Sequence, residues 1–270
     1  DKWPPFPPNE TPYYLTNTGS LVTAIPGIGT RTYTFNPNNP VPTYGGQELV
    51  GTAGPLDQRS VSSRSDVLKF ESAPLGAPLE VTGHIKVKLY VSSDAPDTDF
   101  TAKLVDIYPS PDSREILMLD SIQRVKYRLG DGLPQPSLVS GQIVEITIDL
   151  GDISWIFAAN HKIGLQVSSS NSPRFQVNPN TGLDFSTGTM RTAQNTVYMG
   201  SFYSSALLLP LRTPEADADG DGLTDEAEWN SPDGDMDNDD VIDSQEWYIA
   251  HTDPKLVVGC ISTVKVVDLH

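Results

Sequence analysis

The stretch "DADGDGLTDEAE", residues 217–228, places oxygen-bearing side chains in the order that a calcium loop requires. Asp217, Asp219 and Asp221 fall at the first, third and fifth positions, and Gly222 allows the sharp turn that follows. Leu223 offers a backbone carbonyl at the seventh position, Asp225 ligates directly or through water, and Glu228 closes the loop as a two-oxygen ligand. A large, hard cation such as Ca²⁺ takes six to eight oxygens in flexible geometry, which is what this pattern supplies. Eighteen residues on, "DMDNDDVIDSQE" repeats it with Asp235, Asp237, Asp239, the Val241 carbonyl, Asp243 and Glu246. Here Asp240 stands where the glycine is expected, and Asp tolerates a left-handed turn less well than Gly. The expected cofactor is therefore Ca²⁺, held at an affinity of order 10⁻⁴–10⁻³ M, the range of extracellular modules. The alternative is a solvated acidic linker.

Charge follows these loops. Residues 213–254 hold fifteen Asp or Glu and no Lys or Arg, while the other 228 residues hold 20 acids against 18 bases. A nearly neutral body carrying one acidic module excludes nucleic acid, which needs a basic surface. No run of eighteen apolar residues exists, so no helical membrane span is expected. The flanks of the loops repeat too, "TDEAEW" against "IDSQEW", with Trp229 and Trp247 after the closing glutamates. The paired short loops resemble those of dockerins and thrombospondin type 3 repeats. That resemblance implies an extracellular or cell-surface location.

Two kinds of element must flank this module. After it comes "KLVVGCISTVKVVDLH", residues 255–270, rich in β-formers and free of proline. Val257, Ile261, Val267 and Leu269 share one face of such a strand, and Val258, Cys260, Val264 and Val266 share the other. A strand apolar on both faces needs a two-sided site, and a lone strand is not stable in water. Cys260 is the only cysteine, so no disulfide forms within one chain. Before the module lies a long body with no amphipathic helical pattern. Short apolar or alternating runs recur there: "DVLKFES", "LEVTGHIKVKLYV", "FTAKLVDIY", "IQRVKYRL", "IVEITIDL", "HKIGLQVSSS", "NTVYMG" and "ALLLPLR". Gly- and Pro-rich turns separate them, which predicts an all-β, antiparallel sandwich. The expected division is a Pro-rich arm over 1–12, the sandwich over 13–212, the acidic module over 213–254 and the terminal strand over 255–270.

The stretches "GPLDQRSVSSRSDVLKFES", "LEVTGHIKVKLYVSSDAPDTDFTAKLVDIYP" and "HKIGLQVSSSNSPRFQVNPNTG" resemble the C-terminal domain of the X-prolyl dipeptidyl-peptidase and cocaine-esterase family of α/β-hydrolases. The resemblance covers roughly Tyr13 to Leu211. It implies a jelly roll of the galactose-binding-like type, an accessory to a hydrolase and not itself catalytic. The G-x-S-x-G elbow that such a hydrolase needs to project its serine is not in these 270 residues. His84 and His161 read as strand or edge imidazoles. Ser168, Ser169, Ser170 and Asn171 read as a polar strand end, and Asp94, Asp97 and Asp99 as turn carboxylates that cap backbone N–H groups. No catalytic residue is expected.

Three functions compete on these observations. The first is a calcium-stiffened structural subunit that assembles with copies of itself into a filament. Its terminal strand, through Val257, Val258, Ile261, Val264, Val266, Val267 and Leu269, would enter a neighbour's sheet. The second is the accessory domain of a secreted X-Pro peptidase- or esterase-like hydrolase. The third is a carbohydrate-binding module that stacks a glycan on Tyr13, Tyr14, Tyr33, Tyr44 or Trp155.

Overall fold

The computed structural model describes residues 3–4, 8–48, 51–183 and 188–212. All of them belong to one unit, Asp1–Arg212. The acidic module and the terminal strand expected from the sequence lie outside the described residues.

Among the described residues eleven strands, one α-helical turn and one 3₁₀ turn follow in order: β1 (Pro8–Leu15), β2 (Leu21–Val22), β3 (Gly29–Phe35), α1 (Arg59–Ser62), β4 (Leu68–Glu71), β5 (Leu79–Ser93), β6 (Asp99–Ile107), β7 (Glu115–Arg124), the 3₁₀ turn Val125–Tyr127, β8 (Val144–Phe157), β9 (Lys162–Ser168), β10 (Ala193–Met199) and β11 (Ala206–Arg212). Among the described residues all pairings between these strands are antiparallel, and parallel contacts are confined to isolated bridges such as Ser20 with Glu71. The smaller sheet runs β4-β9-β6-β7. The larger sheet is organised by β5, whose 15 residues are paired along both edges. On one side lies β8. On the other, β10 and β11 lie end to end, Tyr198 opposite Tyr90 and Ala206 opposite Lys88, as one strand interrupted by residues 200–205. Outside these, β3 pairs with β10 and β1 with β11.

The two sheets close on one another over an apolar core. Period-two alternation delivers Val81, Ile85, Val87, Leu89 and Val91 from β5, Phe100, Ala102 and Leu104 from β6, and Ile163, Leu165 and Val167 from β9. Each fully buried large side chain contributes roughly 1.5–3 kcal/mol relative to exposure. Phe35, Phe70, Phe100 and Phe157 are all completely buried.

The structure shifts three expectations. The stretch read as a Pro-rich arm enters the sheet, because β1 begins at Pro8. Its prolines are tolerated there because β2 pairs only with Tyr14 and Leu15, leaving Pro8–Tyr13 as the sheet margin. The run "IQRVKYRL" is not a strand of its own. Its first residues end β7, and Val125–Tyr127 turn away as a 3₁₀ helix. Pro210 sits inside β11 at a register shift against β5, the kind of irregularity that accommodates a residue without an N–H.

Candidate functional site

Strand alternation leaves the outer face of the four-stranded sheet unusually polar. Lys69, Gln166, Lys103 and Asp120 stand opposite one another across four strands, in a single row. Three members of this row are shut off from water, Lys103 at 3% exposure, Gln166 at 3% and Asp120 at 6%, while Lys69 at its end is half-buried. The long connection between β3 and β4 covers it. At the start of α1 the fully buried Gln58 donates from Nε2 to the carbonyls of Tyr44 and Leu56, at 2.7 and 3.1 Å. Its Oε1 accepts from Lys103 Nζ at 2.9 Å. On one flank, Lys69 Nζ donates to Glu115 Oε1 at 2.6 Å and Gln166 Nε2 to Glu115 Oε2 at 2.8 Å. On the other, Asn171 Nδ2 donates to Asp120 Oδ2 at 2.6 Å, and Arg174 pairs with Oδ1 of the same carboxylate. Burial lowers the Lys103 ammonium to a pKa of about 8, against a smaller opposing pull from Asp120.

Farther along the same face, Arg124 grips Asp99 through Nε and NH2, at 2.8 and 3.0 Å. Asn178 Nδ2 bridges Asp97 and Asp99, at 3.0 and 2.8 Å, and Asp97 Oδ1 accepts from the Lys126 N–H at 2.9 Å. Burial raises both carboxyls, although Asn178 at Asp97 and Arg124 at Asp99 pull the other way. These partners are used internally, so the layer fastens loops to a sheet.

The residues whose types could carry a reaction are engaged in the same manner. Ser168 shares a hydrogen bond with Thr101 at 2.6 Å, Ser169 with Tyr33 at 2.6 Å, and Ser170 Oγ accepts from the Val41 N–H at 2.8 Å. His161 Nδ1 lies 2.8 Å from Asp106 Oδ1, with its ring 4.4 Å from that of Tyr108. His84 lies between Asp149 and Asp152, at 3.0 and 3.3 Å. Among the described residues neither histidine meets a serine or threonine hydroxyl, so no nucleophile is paired with a base. Asp94 and Asp97 do accept backbone N–H groups, from Gln194 and Lys126. Among the described residues, no group of three or more acidic, His or Cys side chains could hold a metal. A cleft of about 470 Å³ beside Tyr108 is lined by Glu71, Glu115 and Lys162. Its charges are spent on one another, Lys162 on Glu71 and Lys69 on Glu115.

The calcium ligands expected at Asp217, Asp219, Asp221, Leu223, Asp225, Glu228, Asp235, Asp237, Asp239, Val241, Asp243 and Glu246 lie outside the described residues. So do the strand positions Val257 to Leu269. Of the aromatics offered to a glycan, Tyr33 is a core residue, edge-on to Phe100 at 6.5 Å and 3% exposed. It cannot stack on a sugar. Tyr13 and Tyr14 belong to β1, Tyr44 to the β3–β4 connection and Trp155 to β8.

The matching family model is the X-Pro dipeptidyl-peptidase C-terminal non-catalytic domain, over residues 1–208. The chain belongs to this family. It is 40% identical to the cocaine esterase of Rhodococcus sp. (strain MB1 Bresler) over 225 residues, covering 77% of this chain and 38% of the esterase. An aminopeptidase from the marine sediment archaeon Thaumarchaeota archaeon superimposes with a TM-score of 0.70 at 28% identity, over 77% of this chain and 38% of that one. An α-amino acid ester hydrolase does so with a TM-score of 0.66 at 28% identity, over 75% of this chain and 36% of that one. The chain thus spans well under half the length of each relative. The matching domain is described as non-catalytic, and in this sandwich His84, His161, Ser168, Ser169 and Ser170 are engaged in structural hydrogen bonds. The shared region stops short of the calcium-loop pattern, so likeness to dockerin or thrombospondin loops gains no support from these relatives.

Sequence reasoning found the sandwich but not the polar layer beneath its loops. The available signal was Lys103 and Asp106 inside the otherwise apolar strand "FTAKLVDIY". A charge in a strand buried at every position must be matched by charges elsewhere in the chain.

Proposed function

We propose that this sandwich, of jelly-roll topology, is the accessory domain of an extracellular ester- or peptide-hydrolysing enzyme whose catalytic residues lie on another domain. The observation that carries the reading is the match of residues 1–208 to a domain described as non-catalytic, with an esterase, an aminopeptidase and an amino acid ester hydrolase as relatives. This favours the accessory-domain reading over the filament expected from the sequence. The physical contribution of such a domain is rigidity: two packed sheets and loops locked by buried ion pairs give a partner a fixed surface. We also propose that residues 213–254 bind two Ca²⁺ ions through the loops at 217–228 and 235–246, and that millimolar Ca²⁺ outside cells keeps them loaded.

The test uses natural material. An antibody raised against residues 8–212 should precipitate esterase or X-Pro peptidase activity, in a chain longer than 270 residues or in a stable complex. If it precipitates a 29 kDa species alone, without activity, the accessory-domain reading fails.

A further inference from the structure

A cleft of about 320 Å³ opens where β7 runs into the 3₁₀ turn, beside the connection that follows β9. Ile122, Gln123 and Arg124 line it from β7, Tyr127 from the turn, Phe175 and Gln176 from the connection, and Asp99 from the start of β6. The most buried member of this lining is Asp99, 1% exposed and already matched by Arg124 and Asn178. One acid and one base leave the lining neutral overall. What remains is two aromatic rings, one isoleucine and two side-chain amides.

The walls are held in place by bonds outside the cleft. Gln123 Nε2 donates to the carbonyls of Arg124 and Tyr127, at 3.0 and 2.8 Å, which fixes the amide and leaves its Oε1 without a donor. The Val125 N–H donates to the Thr98 carbonyl at 3.0 Å and pins the turn that carries Tyr127. The Phe175 N–H donates to the Asn171 carbonyl at 2.9 Å, and the Arg174 guanidinium lies 4.8 Å from the centre of the Phe175 ring. Among the described residues the Tyr127 hydroxyl and the Gln176 amide make no hydrogen bond. Small-ligand sites begin at about this volume and combine apolar walls with a few such polar groups. Walls fixed beforehand lower the ordering cost of binding.

We propose that this cleft binds one uncharged sugar ring, its C–H face on the aromatic lining and its hydroxyls on Gln123 Oε1, the Gln176 amide and the Tyr127 hydroxyl. The chemistry selects this class in three steps. A neutral lining gives an ion no net attraction. Aromatic rings favour a ligand with an apolar face. Neutral donors and acceptors with no partner of their own favour one whose rim carries hydroxyls. A pyranose ring has all three properties, and the volume suits one ring, not an extended chain. The inference stands whether or not a catalytic domain precedes the sandwich.

Saturation-transfer NMR on the full chain tests it. The probes are the methyl pyranosides of glucose, galactose, mannose and N-acetylglucosamine, and soluble oligosaccharides of the same four sugars. At least one probe should bind with a Kd of order 1 mM. Transfer from a methyl pyranoside identifies a free sugar as sufficient, and transfer from oligosaccharides alone identifies one unit of a chain; either supports the proposal. Tyr127→Ala should weaken binding at least roughly ten-fold and Gln176→Ala roughly three- to ten-fold. Phe202→Ala, which removes a ring 76% exposed between β10 and β11, should leave it unchanged. Gln176 is exposed, so its replacement leaves the fold intact and decides the matter even where Tyr127→Ala lowers the urea midpoint. No transfer from any probe overturns the proposal. So does binding that Gln176→Ala leaves unchanged, or that Phe202→Ala weakens as much as the cleft variants do.

Discussion

Replacing Lys103 by Met should change how stability depends on pH. The ammonium is buried at 3% exposure, with Gln58 Oε1 as its hydrogen-bond acceptor. Its pKa falls from 10.5 to about 8 in the folded chain. Below pH 8 both states carry the proton, and the folded state bears the whole cost of burying the charge, about 3 kcal/mol. Between pH 8 and 10.5 the unfolded chain binds a proton that the folded chain has released, so stability rises with pH. Integrating the linkage from pH 7 to pH 10 gives a gain of about 2.5 kcal/mol from this one group. Burial also raises the Tyr33 hydroxyl, which erodes stability above pH 10. That contribution is common to both proteins and cancels in their difference. The variant also loses the bond to Gln58, about 1 kcal/mol, but this offset does not vary with pH. Urea unfolding of both proteins at pH 7, 8, 9 and 10 measures the difference directly. It should climb by about 2–3 kcal/mol in favour of the parent as pH rises. A flat difference would show that Lys103 is not a buried ammonium, and the polar layer would lose its central member.

Other expectations follow from the same packing. Arg124→Met strands the buried Asp99 carboxylate and should cost about 3–5 kcal/mol at pH 7 by urea unfolding. Burial already raises Asp99, so the variant should recover stability relative to the parent as pH falls toward 4 and the carboxylate takes up a proton. Gly164→Ala places a methyl 2.5 Å from Val105 Cγ2 and 2.7 Å from Ile107 Cδ1; it should cost roughly 1–3 kcal/mol, read as a lowered urea midpoint with unchanged slope. Calorimetry of the full chain should show Ca²⁺ binding that Asp217→Ala and Glu228→Gln abolish at the first loop and leave intact at the second.

Much of the sandwich was legible because its strands alternate without competing signals: Ile85, Val87, Leu89 and Val91 on β5 fix both the element and its buried face. β1 and β3 were harder to see. β1 carries Pro8 and Pro12, permitted only because it runs along a margin, and margin position is a property of the sheet, not of the segment. β3 reads "GTRTYTF", where threonine alternation hides the buried Tyr33 and Phe35. The layer around Lys103 left one trace in the sequence, the charges of Lys103 and Asp106 inside an apolar run, and its partners left none. Its members come from residues 58, 69, 103, 115, 120, 166, 171 and 174, and only the register of four strands and two loops brings them together. For the opposite reason, the proposed calcium loops have one of the clearest patterns in the sequence: their expected ligands are local, so spacing alone carries the pattern.

The central claim is that this sandwich belongs to a hydrolase without performing the hydrolysis. Intact-mass measurement after treatment with a fluorophosphonate, which bonds covalently to an activated serine, tests it most directly. The purified 270-residue chain should keep its mass under conditions that modify a serine hydrolase fully, and should turn over neither p-nitrophenyl acetate nor an X-Pro p-nitroanilide. A stoichiometric adduct on the chain, with matching turnover, would contradict the account.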